Sequence, residues 1–175
     1  MVIREYGTEN KKHLVFFQGS CEPWEEFRPA AELLAREFHV LLVTPDGHDP
    51  EEHNDFISVE KTVDDTARWL KEHGIGHLDA MYGLSFGGGM VLRFLTTQDI
   101  PVDRAIIDAG TAPRLATRIQ FWVGTDEWGS RFRDLKWAMR YLPQIEIVNI
   151  PHMMHGEFVM MHPEEFAQKA MDFLQ

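Results

Sequence analysis

The sequence predicts an α/β fold, with a mostly parallel sheet of about six to seven strands and helices on both faces. Two observations predict it. The strand candidates, such as His13–Phe17 (HLVFF), are solid apolar runs rather than alternating ones, the pattern of strands covered on both faces. Helical patterns separate these runs almost throughout, as in a parallel sheet whose crossovers are helices.

Taken in order, residues 2–5 read as a short edge strand. His13–Phe17 is a buried strand that ends in the small-residue loop Gln18-Gly19-Ser20-Cys21. Pro23 opens a helix to about Arg36, with Trp24, Phe27, Ala31, Leu34 and Ala35 on one face. Residues 40–43 form the next strand, followed by the turn Pro45-Asp46-Gly47-His48. Residues 49–57 are acidic and irregular and read as a surface loop. Ser58 is placed to cap a helix over 59–73, which Gly74 and Gly76 stop. A strand from Leu78 and a helix to Thr97 surround Ser85. Residues 104–107, 119–123 and 145–148 are the remaining strands, with a helix expected at 130–140 and another at 163–173, where Pro163 suits the first turn.

With 175 residues, the chain fits one domain over 1–175 with room for a core. Its 44% hydrophobic and 26% charged residues are ordinary for a globular protein. A formal net charge of −11 argues against nucleic acid as a partner, because phosphate binding needs clustered Lys and Arg. There is no apolar stretch long enough to span a membrane and no leader-like start, and the single Cys21 excludes an intrachain disulfide. The expectation is a cytoplasmic protein with no membrane partner.

The stretch that carries chemistry is Gly83-Leu84-Ser85-Phe86-Gly87. A serine between small residues at a strand-to-helix turn is held in a strained backbone conformation, and the helix start aims free N–H groups at any anion formed beside it. An activated serine needs a base and a carboxylate that orients the base, both from loops at the carboxyl ends of strands. Asp126 follows one strand in Gly124-Thr125-Asp126-Glu127, and His155 follows the last in His152-Met153-Met154-His155-Gly156. Asp108 and Glu127 are rivals for the acid, and His152 for the base.

In these pieces the chain resembles the α/β-hydrolase superfamily over almost its whole length. Phe17-Gln18-Gly19-Ser20 looks like that family's oxyanion loop, and Asp46-Gly47-His48 like its turn after the next strand. The resemblance implies Ser85 as nucleophile, His155 as general base and then acid, and Asp126 as the orienting carboxylate. It implies an oxyanion hole from the backbone N–H groups of Phe86 and Ser20, with Cys21 the alternative to Ser20. Cys21, Trp24, Trp128 and Met154 are the expected substrate-binding residues. The family's usual lid is missing: only 110–117 stand where it would be inserted. A parallel return this short leaves part of a sheet face without its helix, which a second copy of the chain would cover.

The acidic loop residues Asp46, His48, Asp49 and His53 lack the spacing of a zinc motif, and Gly87-Gly88-Gly89 lacks the remainder of a phosphate loop. No metal and no organic cofactor is expected. The reading is a serine hydrolase that cleaves a small ester or thioester through an acyl-enzyme. The alternative is a ligand-binding or reduced structural variant on the same scaffold.

Overall fold

The computed structural model describes residues 1–20, 22–52, 54–108, 118–129, 132, 135–136 and 146–174. Among the described residues, seven strands form one sheet: β1 (Val2–Tyr6), β2 (His13–Phe17), β3 (His39–Thr44), β4 (Leu78–Leu84), β5 (Val102–Asp108), β6 (Arg118–Gly124) and β7 (Glu146–Ile150). Their order is β1-β3-β2-β4-β5-β6-β7. Only β1 is antiparallel, pairing with β3 at the edge of the sheet. From β2 the chain steps outward to β3, then crosses to β4 on the other side of β2. The carboxyl ends of β2 and β4 therefore flank a switch point, where open α/β sheets form their ligand crevice. Phe17 and Gly83 are register partners at that edge.

Helices cover both faces, as the solid apolar strands require. On one face α1 (Arg28–Leu34) and α5 (Pro163–Leu174) bury Phe16, Tyr82, Trp122 and Phe166. The rings of Phe16 and Tyr82 are 4.5 Å apart and those of Tyr82 and Phe166 5.0 Å apart, both edge-on, as aromatic quadrupoles prefer. On the other face α2 (Val59–Glu72) and α3 (Phe86–Thr97) lie over Val15, Phe17, Met81 and Ile107. Ser58 caps α2, its side chain accepting the Lys61 N–H at 3.1 Å. All six residues of β3 are buried.

Two expectations about helices are corrected. The helix expected from Pro23 to about Arg36 is broken into a 3-10 turn (Trp24–Glu26) and α1. Pro29 is the reason: it has no N–H to donate back and its ring crowds the carbonyl four residues earlier, so it sits in the first turn of a new helix. A short helix not expected from sequence, α4 (Glu157–Met161), starts at Gly156, whose φ of 71° only glycine adopts freely. The helix expected at 130–140 falls for the most part outside the described residues. So does the link at 110–117, and with it the expectation of a second copy over that face. β5 and β6 are parallel neighbours joined only by residues 109–117, which leaves no room for a cap at that point.

Candidate active site

Ser85 lies between the last residue of β4 and the first of α3, with φ 50° and ψ −107°. A non-glycine residue held there stores about 1–3 kcal/mol of strain. The surrounding glycines make the turn sterically feasible. A Cβ on Gly83 would run into the backbone of Gly87, and one on Gly87 into the carbonyls of Phe17 and Gln18. The same absence of side chains lets the start of α3 pack directly on the loop after β2. The Ser85 N–H donates to the main-chain oxygen of Asp108 at 2.6 Å, tying the turn to the end of β5. Phe86 is the first residue of α3, so its N–H is one of the helix-start donors without an intrahelical acceptor.

The loops after β6 and β7 are laced together. Thr125 N–H donates to Ile150 O at 3.0 Å, Asp126 N–H to Met153 O at 3.2 Å, and His152 N–H to Thr125 Oγ1 at 2.8 Å. The His155 loop also meets the nucleophile turn: a Cβ on Gly156 would stand 3.1 Å from Leu84 Cδ2, the residue before Ser85.

His155 Nδ1 is 2.8 Å from Glu127 Oε1, and both side chains are largely buried. The carboxylate that meets His155 is therefore that of Glu127 and not that of the expected Asp126. The Asp126 carboxylate is exposed and its Oδ1 accepts a hydrogen bond from Thr125 Oγ1 at 3.2 Å. A turn closed by Glu127 N–H to Gly124 O turns Asp126 outward and Glu127 inward. Trp128 stacks on the His155 ring, centroids 5.5 Å apart and planes 15° apart, while 57% of it stays exposed. Met154 is also exposed on this rim.

The other rival acid, Asp108, is buried beneath the turn and accepts the Tyr82 hydroxyl at 2.9 Å. Burial pushes its carboxyl up to about 7, against the Tyr82 hydrogen bond and with help from the Glu127 charge. Burial, with the Asp108 charge second, likewise drives the Tyr82 phenol well above its ordinary range.

The buried Gln18 ties the loop after β2 to the end of β3. Its Oε1 accepts from Thr44 Oγ1 at 2.8 Å and its Nε2 donates to Glu22 O at 3.3 Å. Beyond it a cavity of about 350 Å³ is lined by Ser20, Glu22, Pro23, Gly47, His48 and Asp49 among others. The His48 ring stacks on Phe86 at 5.5 Å, and Phe56 meets both edge-on. Burial holds the His48 imidazole below its ordinary value. Trp24 does not line this cavity. The 3-10 turn packs it against the core with the Arg4 guanidinium 3.9 Å above its ring. Cys21 lies outside the described residues.

The acids of the loop after β3 are committed to the fold. Asp49 is paired with Arg4 at 2.7 Å, and Asp46 accepts from Asn54 at 3.0 Å and faces Lys61 at 3.8 Å. His53 lies outside the described residues. Among the described residues, the donor atoms that gather within metal-binding distance belong to His77, Asp79 and Asp103, away from Ser85 near the amino ends of β4 and β5. His77 and Asp103 there form an exposed 2.9 Å pair. No described helix is long and apolar enough to cross a membrane.

Sheet order, strained serine turn and the loops that meet beside it define the α/β-hydrolase fold, here without a cap between β5 and β6. Solved structures bear this out. An alpha/beta hydrolase family protein from Desulfitobacterium hafniense superposes with a TM-score of 0.87 at 15% identity, over 99% of this chain and 100% of that one. A structure from a study of carboxylesterases of Nitrososphaera gargenis gives 0.84 at 15% identity, over 99% and 93%. MenH from S. aureus gives 0.79 at 12% identity, over 99% and 97%. No protein-family model matches the sequence, and no curated protein matches it.

Two features of this site are not encoded in any local sequence pattern. Asp126 and Glu127 are adjacent in one loop, and which of them turns inward is a property of the backbone turn closed by Glu127 N–H and Gly124 O. The Tyr82–Asp108 contact depends on the register of β4 against β5, which no local pattern encodes.

Proposed function

We propose that this chain is a serine hydrolase that cleaves small esters or thioesters through an acyl-enzyme on Ser85. The observation that carries the reading is the His155–Glu127 pair, held in a loop that packs against Leu84, beside a serine in a strained strand-to-helix turn. In this reading His155 takes the Ser85 proton through Nε2, since Nδ1 is engaged with Glu127. Glu127 rather than Asp126 is the orienting carboxylate. The backbone N–H groups of Phe86 and Ser20 stabilise the oxyanion, each worth roughly 3 kcal/mol in the transition state. His155 then returns the proton to the leaving group, and water releases the acid by the same route. The cavity of about 350 Å³ beside Ser20 suits a small acyl or leaving group. Neighbouring structures described as hydrolases and esterases support the same reaction class.

The test is hydrolysis of a short-chain p-nitrophenyl ester series by the wild type and by Ser85→Ala, with fluorophosphonate labelling of both. A fall in kcat by roughly three orders of magnitude or more, with labelling lost, is the expected result. Equal rates from two folded proteins would overturn the reading in favour of a ligand-binding role.

A further inference from the structure

His48 is fixed from two sides in the wall of the 350 Å³ cavity between the loops after β2 and β3. Its Nδ1 is 3.0 Å from the main-chain oxygen of Asp46, which can only accept, so Nδ1 carries the proton. Its ring lies face to face with Phe86, centroids 5.5 Å apart and planes 14° apart, and Phe56 packs edge-on against both rings. The second ring nitrogen, Nε2, is left as an acceptor, with no partner among the described residues and open rather than buried. Burial holds the imidazole below its ordinary value, which keeps Nε2 unprotonated at neutral pH. Phe86 and Ser20, which supply the oxyanion donors in the reading above, both border this cavity, one beneath the His48 ring and the other in the lining. No Lys or Arg lines it, and the Asp49 carboxylate in its wall is already met by Arg4 at 2.7 Å.

We propose that this cavity takes the acyl part of the substrate and that His48 is a specificity-determining residue, its Nε2 accepting from a hydroxyl close to the scissile carbonyl. The substrate class is then a short hydroxyacyl ester or thioester. This rests on the serine-hydrolase reading above. The proton decides which part of the substrate enters. His155 has to hand its proton to the leaving group, and it comes from the loop after β7. The cavity belongs to β2 and β3, which stand on the other side of β4 in the strand order. The leaving group therefore lies toward His155 and the acyl part toward His48. An alkyl chain that fills the cavity strips solvent from Nε2 and gives nothing back, whereas a hydroxyl satisfies it. A carboxylate on the acyl chain would meet no cation in the lining and would face the acids there.

The deciding experiment compares kcat/KM for the methyl esters of β-hydroxybutyric, β-methoxybutyric, β-aminobutyric and succinic acids in the wild type and in His48→Phe. Phenylalanine keeps a flat ring on Phe86 but has no nitrogen to accept. The wild type is expected to prefer the hydroxy over the methoxy ester by about tenfold, the effect of one neutral hydrogen bond. His48→Phe is expected to erase that preference, whatever loss in rate the esters share; a merely structural role would lower both in parallel and leave the ratio intact. A ratio that survives in His48→Phe, or that is absent from the wild type, overturns the proposal. So does a preference confined to the amino ester, which would assign recognition to the charge of Glu22, or a preference for the succinyl ester. Binding is read without turnover in Ser85→Ala, where the hydroxy ester should shift the His48 Nε2 resonance in nitrogen NMR and the methoxy ester should not. An unmoved resonance also overturns the proposal. A wild type that neither hydrolyses any ester nor reacts with fluorophosphonate rejects the hydrolase reading, while the imidazole resonance still decides whether His48 accepts from the hydroxyl.

Discussion

The His155 imidazole is 2.8 Å from the carboxylate of Glu127, whereas Asp126, one residue earlier, has its carboxylate exposed. If the triad works as proposed, Glu127→Gln leaves the imidazole without its orienting charge and lowers kcat by about 10⁴. Asp126→Asn changes kcat by no more than a few-fold. Steady-state ester kinetics on the two variants decide it, and the reverse order of effects would return the role to Asp126.

The strain at Ser85 predicts that activity and stability pull in opposite directions at this one residue. Alanine removes the nucleophile but keeps a Cβ at φ 50°, so the strain stays. Glycine removes both. Strain relief of about 1–3 kcal/mol exceeds the roughly 0.4–1 kcal/mol that glycine loses through the unfolded chain. Ser85→Gly should therefore be the more stable by about 1 kcal/mol, read from urea denaturation. Equal midpoints for the two variants would mean that the turn is not strained.

The fold was legible for a physical reason. Strands buried on both faces must be largely apolar along their length, and β2 and β3 announce themselves that way over Leu14–Phe17 and Val40–Val43. What was not legible depends on geometry that local composition does not carry. Pro29 breaks a helix whose apolar spacing runs on unchanged, and a five-residue helix such as α4 has too short a pattern to read. In the site, the spacing of Gly83, Ser85 and Gly87 encodes a steric requirement, so the turn could be found from it. The choice between Asp126 and Glu127 is made by which way a tight turn faces, and the inward packing of Trp24 by an arginine twenty residues upstream.

Trp128 lies face to face with His155 and is more than half exposed, so it shields one face of the imidazole without contributing to the core. Trp128→Ala should raise KM several-fold for apolar acyl esters, lower kcat modestly by letting the ring reorient, and leave stability within about 0.5 kcal/mol of the wild type. Kinetics across an acyl-length series, alongside thermal unfolding, check it. A loss of stability with unchanged kinetics would assign Trp128 to packing instead.

Asp108 also predicts how stability varies with pH. Its carboxyl rises from an ordinary 3.8 to about 7 in the folded chain, so the folded form keeps a proton that the unfolded form has already released. The contribution is fully present below about pH 3.8, falls as pH rises, and is gone above about pH 7. A shift of roughly three units sets a ceiling of about 4 kcal/mol. Other groups titrate in the same window, so the informative quantity is the difference between the wild type and Asp108→Asn, which cannot ionise. Unfolding free energies measured from pH 4.5 to 8 should show the wild type losing ground to Asp108→Asn by a few kcal/mol across that range. Parallel curves would mean that Asp108 is ionised throughout, and that its burial is compensated by a donor other than its own proton.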